Sequence, residues 1–176
     1  RKMKVILING SPNAKGCTYT ALEEVSKTLK SEGIETEIIH VGHKDIRGCI
    51  GCRQCKTKGK CVFNDIVNDI APKFKECDGI VIGSPVYFAS ANGTLVSFID
   101  RLFYSMTADK TMIASSQYWN MVHGNSPEEV QQDLEGLQTM RTLGKNMAFL
   151  IKSIQLGKKE FGLPEKEEHK FTNFIR

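Results

Sequence analysis

The stretch from Lys4 to Thr18, KVILINGSPNAKGCT, constrains this chain more than any other. Val5, Ile6, Leu7 and Ile8 form an unbroken apolar run between turn signals, the pattern of a strand buried on both faces of a parallel sheet. Gly10 to Gly16 follows as a loop of small and polar residues, and Thr18 opens a helix. A strand feeding such a loop and helix gathers free backbone N–H groups and the positive end of a helix dipole at one point. That point suits a phosphate. The Walker A pattern fails because Cys17 and Thr18 follow Gly16 with no Lys, and the dinucleotide pattern fails because Ser11 and Pro12 follow Gly10. Ser11, Asn13 and Thr18 instead offer short neutral side chains suited to a terminal monoester phosphate. A plain Gly-Ser-Pro turn capped by Thr18 is the structural alternative.

The next segments build an α/β fold. Leu22, Val25 and Leu29 share one face of a helix from Thr18 to Lys30 that Gly33 ends, and Glu35 to Val41 reads as a second strand, parallel to the first. Gly42 to Val62 is a long aperiodic loop, and Asn64 caps an expected helix over Asp65–Glu76 that Pro72 should kink. GIVIG at 79–83 is a third core strand, ending in Ser84-Pro85-Val86-Tyr87-Phe88 before a helix from Leu95 to Met106. In the flavodoxin-like order 2-1-3-4-5, the first and third strands flank the point where the winding reverses and ligands sit. The turns Ser11–Thr18 and Pro85–Asn92 then face one crevice. The first offers amides for a phosphate. The second offers backbone, Tyr87, Phe88, Ser90 and Asn92 for a flat heteroaromatic ring, or, read plainly, a Ser-Pro turn with inward aromatics. Both turns together make FMN the natural ligand.

GSPNAKGCT and GSPVYFASANGTLVSFIDR together resemble the NADPH-dependent FMN reductase family of flavodoxin-like proteins, and within it the cysteine-bearing iron-sulfur flavoproteins. The resemblance continues through SQYWN to the final TNFIR. It implies that Ser11, Asn13, Cys17 and Thr18 take phosphate positions while Pro85, Val86, Tyr87, Phe88 and Ser90 line the isoalloxazine. Asn13 departs from a frequent Arg and Cys17 from a frequent Asn, which lowers the expected phosphate affinity. A five-stranded sheet needs two more strands after Met106, yet only Thr111–Ser115 (TMIAS) has strand character. One strand-helix unit of roughly 30 or more residues is therefore missing there. From Pro127 a single amphipathic helix is expected to about Gln155, with Val130, Leu134, Leu137, Met140, Leu143, Met147 and Leu150 as its apolar stripe. Residues 1–157 form the FMN-binding domain on this reading. Residues 158–176 form a polar arm tipped by Phe171, Phe174 and Ile175, suited to docking on a second subunit.

Cys49-x2-Cys52-x2-Cys55-x5-Cys61 offers four thiolates within reach of one centre. The ferredoxin run is close but has a shorter last spacing and a proline. Resemblance implies a 4Fe-4S cluster, zinc is the chemical rival, and four bare thiols are the plain alternative. Arg53, Lys56, Lys58 and Lys60 would offset thiolate charge. Cys77 reads as a small buried residue, Cys17 as a thiol at a helix N-terminus, and the four histidines show no metal spacing.

The net charge of +4 is spread among 24 basic and 20 acidic residues, which gives no clustered footprint for nucleic acid. No apolar run is long enough to cross a bilayer, and Arg1-Lys2 leads straight into a strand, so a cytoplasmic address is expected. The expected chemistry is electron transfer from NAD(P)H through FMN to a small-molecule or protein acceptor. Two alternatives stand beside it: a carrier fed by ferredoxin through the cysteines, and a non-catalytic flavin or redox sensor. No acid-base pair is visible. A homodimer or higher homo-oligomer follows from the resemblance.

Overall fold

A computed structural model describes residues 1–106, 112–165 and 167–168. β1 (Lys4–Asn9) is the central strand, with β2 (Glu35–His40) and β3 (Gly79–Gly83) parallel on either side in the order β2-β1-β3. Its apolar run behaves as the pattern requires. Val5 and Leu7 point into one core with α1 (Cys17–Ser31), while Ile6 and Ile8 point into another with α3 (Ile66–Glu76) and α4 (Gly93–Met106). The alternation of a strand thus supplies both faces of a three-layer α/β/α fold.

Between β2 and α3 the long loop holds one short helix, α2 (Gln54–Lys58). α3 runs through Pro72, and its N-cap is Asp65 rather than Asn64: the Asp65 carboxylate accepts from the Val67 amide at 3.1 Å. After β3 the chain makes a small hairpin of β4 (Val86–Tyr87) and β5 (Ser90–Ala91) and enters α4.

Two expectations beyond Met106 need correction. Thr111 lies outside the described residues, and Met112–Ser115 is irregular rather than a strand, with Met112 and Ile113 exposed. A strand needs a neighbour to hydrogen-bond, and this segment instead runs beside the C-terminal helix, where Asn146 Nδ2 donates to the Ser115 carbonyl at 2.8 Å. That helix is also divided. α5 (Pro127–Gln132) ends at Asp133, which caps α6 (Leu134–Phe161) by accepting from the Gly136 amide at 3.0 Å. The break rotates the buried face, so Leu134 is exposed while Gly136, Met140, Gly144, Met147, Ala148 and Ile151 lie inward. Gly144 is needed there because a Cβ would lie 2.9 Å from the side chain of Thr28 on α1. α6 continues to Phe161, beyond the expected end near Gln155. Phe171, Phe174 and Ile175, expected at the tip of the arm, fall outside the described residues.

Asp133 also accepts from the His123 amide at 2.6 Å, and its carboxyl is held below the ordinary value first by the Gly136 amide and then by that of His123. A depressed folded-state pKa contributes stability that is full above the ordinary carboxylate value and is lost as pH falls through the depressed one. Asp133→Ala is expected to cost about 0.5–2 kcal/mol at neutral pH. In urea melts, the gap between wild type and variant should shrink on acidification.

Candidate functional site

The two Gly-Ser-Pro corners begin at the same level because β1 and β3 are in register, with Asn9 opposite Gly83. The Gly10 amide donates to the Gly83 carbonyl at 2.8 Å. A second tie comes from Asn92, which is 5% exposed. Its Nδ2 donates to the Gly10 carbonyl at 2.5 Å, its Oδ1 caps α4 by accepting from the Leu95 amide at 3.1 Å, and its own amide donates to Ser84 Oγ at 3.1 Å. One amide side chain therefore fastens the first corner to the second.

Within the first corner, Asn9 at the end of β1 braces the loop, accepting from the Ser11 amide at 3.0 Å and donating to the Ala14 carbonyl at 3.2 Å. Ser11 is buried and its Oγ accepts from the Asn13 amide at 3.1 Å, while Asn13 itself is exposed. Thr18 is half-buried, and its methyl group lies beside Gly83. Cys17 turns its sulfur away to donate to the Gly124 carbonyl at 3.3 Å. α1 starts at Cys17, one residue before the expected Thr18, with Gly16 as N-cap, and no described side chain caps it, so the alternative of a turn capped by Thr18 is not formed. The first-turn amides of α1 therefore have no side-chain partner at the N-cap among the described residues. His40 has a place that sequence reasoning did not give it. Its Nε2 donates to the Ser11 carbonyl at 2.7 Å, and its ring stacks on His43 at 4.2 Å.

In the second corner Val86, Tyr87, Phe88 and Ser90 are exposed, and Pro85 is half-buried. The aromatics therefore face outward, which removes the inward-packed reading of this turn. Phe88 and Ala89 carry φ of 49° and 61°, the left-handed pair that a two-residue hairpin turn demands and that Asn-Gly usually supplies.

Cys49, Cys52, Cys55 and Cys61 line one hollow that opens to solvent, with Phe63, Arg101 and Tyr104 among its other walls. All four are free thiols. Among the described residues no three Cys, His, Asp or Glu side chains come together closely enough to hold one metal ion. A tetrahedral zinc site needs its four sulfurs at one point, whereas a 4Fe-4S cluster takes each sulfur on a different iron and needs them around a hollow. Four thiols lining one hollow are the donor set that a 4Fe-4S cluster takes. Cys61 is the best held of the four: Asn68 accepts from its amide at 2.9 Å and donates to its carbonyl at 3.0 Å, and Arg101 Nε donates to its sulfur at 3.3 Å.

Arg101 and Asn68 were missed by sequence reasoning, which looked to Arg53, Lys56, Lys58 and Lys60 for positive charge. Of these four, Arg53 lines the hollow and Lys56 lies over the Tyr104 ring. The available signal for Arg101 was its place on the apolar side of α4, three residues after Phe98. Burial acts to lower its pKa, but hydrogen bonds to Asp65 and Cys61 outweigh that and the guanidinium stays charged. Cys77 is half-buried, and desolvation raises its thiol pKa.

Comparison with known proteins agrees with this geometry. The family model described as NADPH-dependent FMN reductase matches residues 3–150. An iron-sulfur flavoprotein of Methanocaldococcus jannaschii is 33% identical over 192 aligned positions, covering 87% of this chain and 100% of that protein. An iron-sulfur flavoprotein of Archaeoglobus fulgidus is 41% identical over 99 residues, covering 56% of this chain and 48% of that protein. The stretch matched thus spans about half of the second relative. In the first alignment about 153 residues of this chain fill 192 positions, so about 39 positions hold the relative's residues alone. Among solved structures, RosB with bound 8-demethyl-8-formylriboflavin-5'-phosphate has the same fold, with a TM-score of 0.55 at 14% identity over 99% of this chain and 92% of that one.

Two substitutions test the joined corners. Asn92→Ala leaves the Gly10 carbonyl without its buried partner and removes the α4 cap, so denaturant melts should show a loss of about 1–3 kcal/mol. Gly42→Ala acts from below: a Cβ there would lie 2.2 Å from the backbone oxygens of Gly10 and Ser11. It should destabilise the fold by about 1–3 kcal/mol and weaken binding at the loop, read by titration with FMN.

Proposed function

Because the chain belongs to the NADPH-dependent FMN reductase family, in its iron-sulfur flavoprotein branch, we propose that it binds FMN across its two corners and passes electrons from NAD(P)H to an acceptor. The hydrogen bond from Asn92 to Gly10 carries this reading, since it sets a phosphate loop and a hairpin side by side at the carboxyl ends of β1 and β3. When bound, FMN supplies the chemistry that takes electrons from a nicotinamide and releases them to an acceptor.

The residues have separable roles on this reading. The first-turn amides of α1, at Cys17 and Thr18, hold the phosphate together with the side chains of Ser11 and Asn13. Pro85, Val86, Tyr87, Phe88 and Ser90 present backbone and apolar surface to the ring. Cys49, Cys52, Cys55 and Cys61 hold a 4Fe-4S cluster. Six free thiols accord with a reducing compartment, here the cytoplasm. The protein acts as a homodimer, and residues 158–176, which begin in the last turn of α6, serve as the arm that docks on the second copy.

A second reading is favoured by the cysteine hollow: an electron carrier that takes single electrons from ferredoxin through the cluster. Both share the flavin, and they differ in the donor. Anaerobically purified protein should carry FMN and iron with acid-labile sulfide, and its absorption should bleach on adding NADPH. Bleaching by reduced ferredoxin alone selects the carrier. A protein that neither retains nor takes up FMN overturns both.

A further inference from the structure

Arg101 is the least expected side chain in the interior. It is 2% exposed, in the middle of α4 between Phe98 and Leu102. A buried guanidinium requires partners for its donors. Two of them go to the Asp65 carboxylate, at 2.6 and 2.8 Å, and others to the carbonyls of Arg47 at 3.1 Å and Phe63 at 3.5 Å. An ion pair between α3 and α4 would be complete with these. The remaining donor, Nε, is directed at Cys61 Sγ at 3.3 Å.

Cys61 is also the thiol whose backbone is clamped, by Asn68 on α3. Cys49 and Cys52 are exposed and lie beside Gly51 and Arg53, both with positive φ. Cys61 is thus held at both its backbone and its sulfur, on the wall that it shares with Arg101. α4 also begins at Asn92, so the helix that is fastened to the proposed flavin corner carries the donor to the cysteine centre about two and a half turns later.

We propose that Arg101 is the positioning residue of the four-cysteine centre, holding Cys61 as its fixed ligand and setting the cluster's reduction potential through the Nε–H···S hydrogen bond. The inference rests on the cluster reading given above. A hydrogen bond to a coordinating sulfur draws electron density from it and favours the reduced cluster, so the bond raises the potential. Asp65 partly cancels the guanidinium charge and acts in the opposite sense.

The test uses the full chain, loaded anaerobically with FMN, iron and sulfide. Iron and sulfide content are measured together with separate midpoint potentials for the cluster and the flavin. Arg101→Lys keeps a cation for Asp65 but loses the forked donor set. It should lower the cluster midpoint or, with the fold and FMN binding intact, reduce iron uptake, leaving the flavin midpoint unchanged. Asp65→Asn keeps a side chain able to cap α3 and removes the compensating charge, so the cluster midpoint should rise. Opposite shifts are not produced by a purely structural ion pair. Asp65→Asn also decides the matter if the lysine variant fails to fold. Fully loaded variants with wild-type cluster midpoints overturn the proposal and leave the cluster reading standing. A wild-type chain that binds FMN yet takes up no iron and sulfide overturns both.

Discussion

The hydrogen bonds of Asn92 are the constraint on which the candidate site depends. Parallel register brings the ends of β1 and β3 to one level, but register alone does not stop the two following turns from diverging. Asn92 stops them by joining the Gly10 carbonyl, Ser84 Oγ and the first turn of α4. A single such bond contributes about 1 kcal/mol net, and its loss in a buried setting costs more because the partner stays dry. The two bonds of the side chain, with the one from its backbone amide, therefore act as a fastener, and truncating the side chain is felt at both corners.

α4 extends this logic across the molecule. Leu95, Phe98 and Leu102 bury one side of it against Ile6 and Ile8 of the central strand, which makes the helix part of the core rather than a surface element. A helix anchored at Asn92 and bearing Arg101 holds the first corner and the cysteine hollow in a fixed relation. On the other face of the sheet, α1 and α6 approach closely through Gly144 and Thr28. That packing aligns the start of α1, and with it the first-turn amides, with the corner they serve.

Much of this was legible in the residues. The doubly buried run at Val5 to Ile8, the two corners and the cysteine spacing are local signals, each written within about ten residues by turn chemistry or alternation. Residues whose meaning depends on a distant partner were not legible. Asn68 reads as a polar helix residue until Cys61 lies against it, His40 reads as idle until Ser11 does, and Arg101 reads as a surface charge until Asp65 and Cys61 surround it. The strand expected at Thr111–Ser115 fails for the same reason, because hydrogen-bonding needs a neighbour. The long helix divides at Asp133 because a capping side chain, which competes with the helical backbone, outweighs the continuing apolar period.

By itself the sequence determined the layer order of the fold, the two corners and the set of four thiols, since strand alternation, glycine-proline turns and cysteine spacing act over short range. Only the tertiary structure decided that Asn92 ties the corners together, that the four thiols line one hollow, and that Arg101 shares its wall. Those outcomes turn on hydrogen bonds between residues tens of positions apart, whose geometry exists only once the layers have closed.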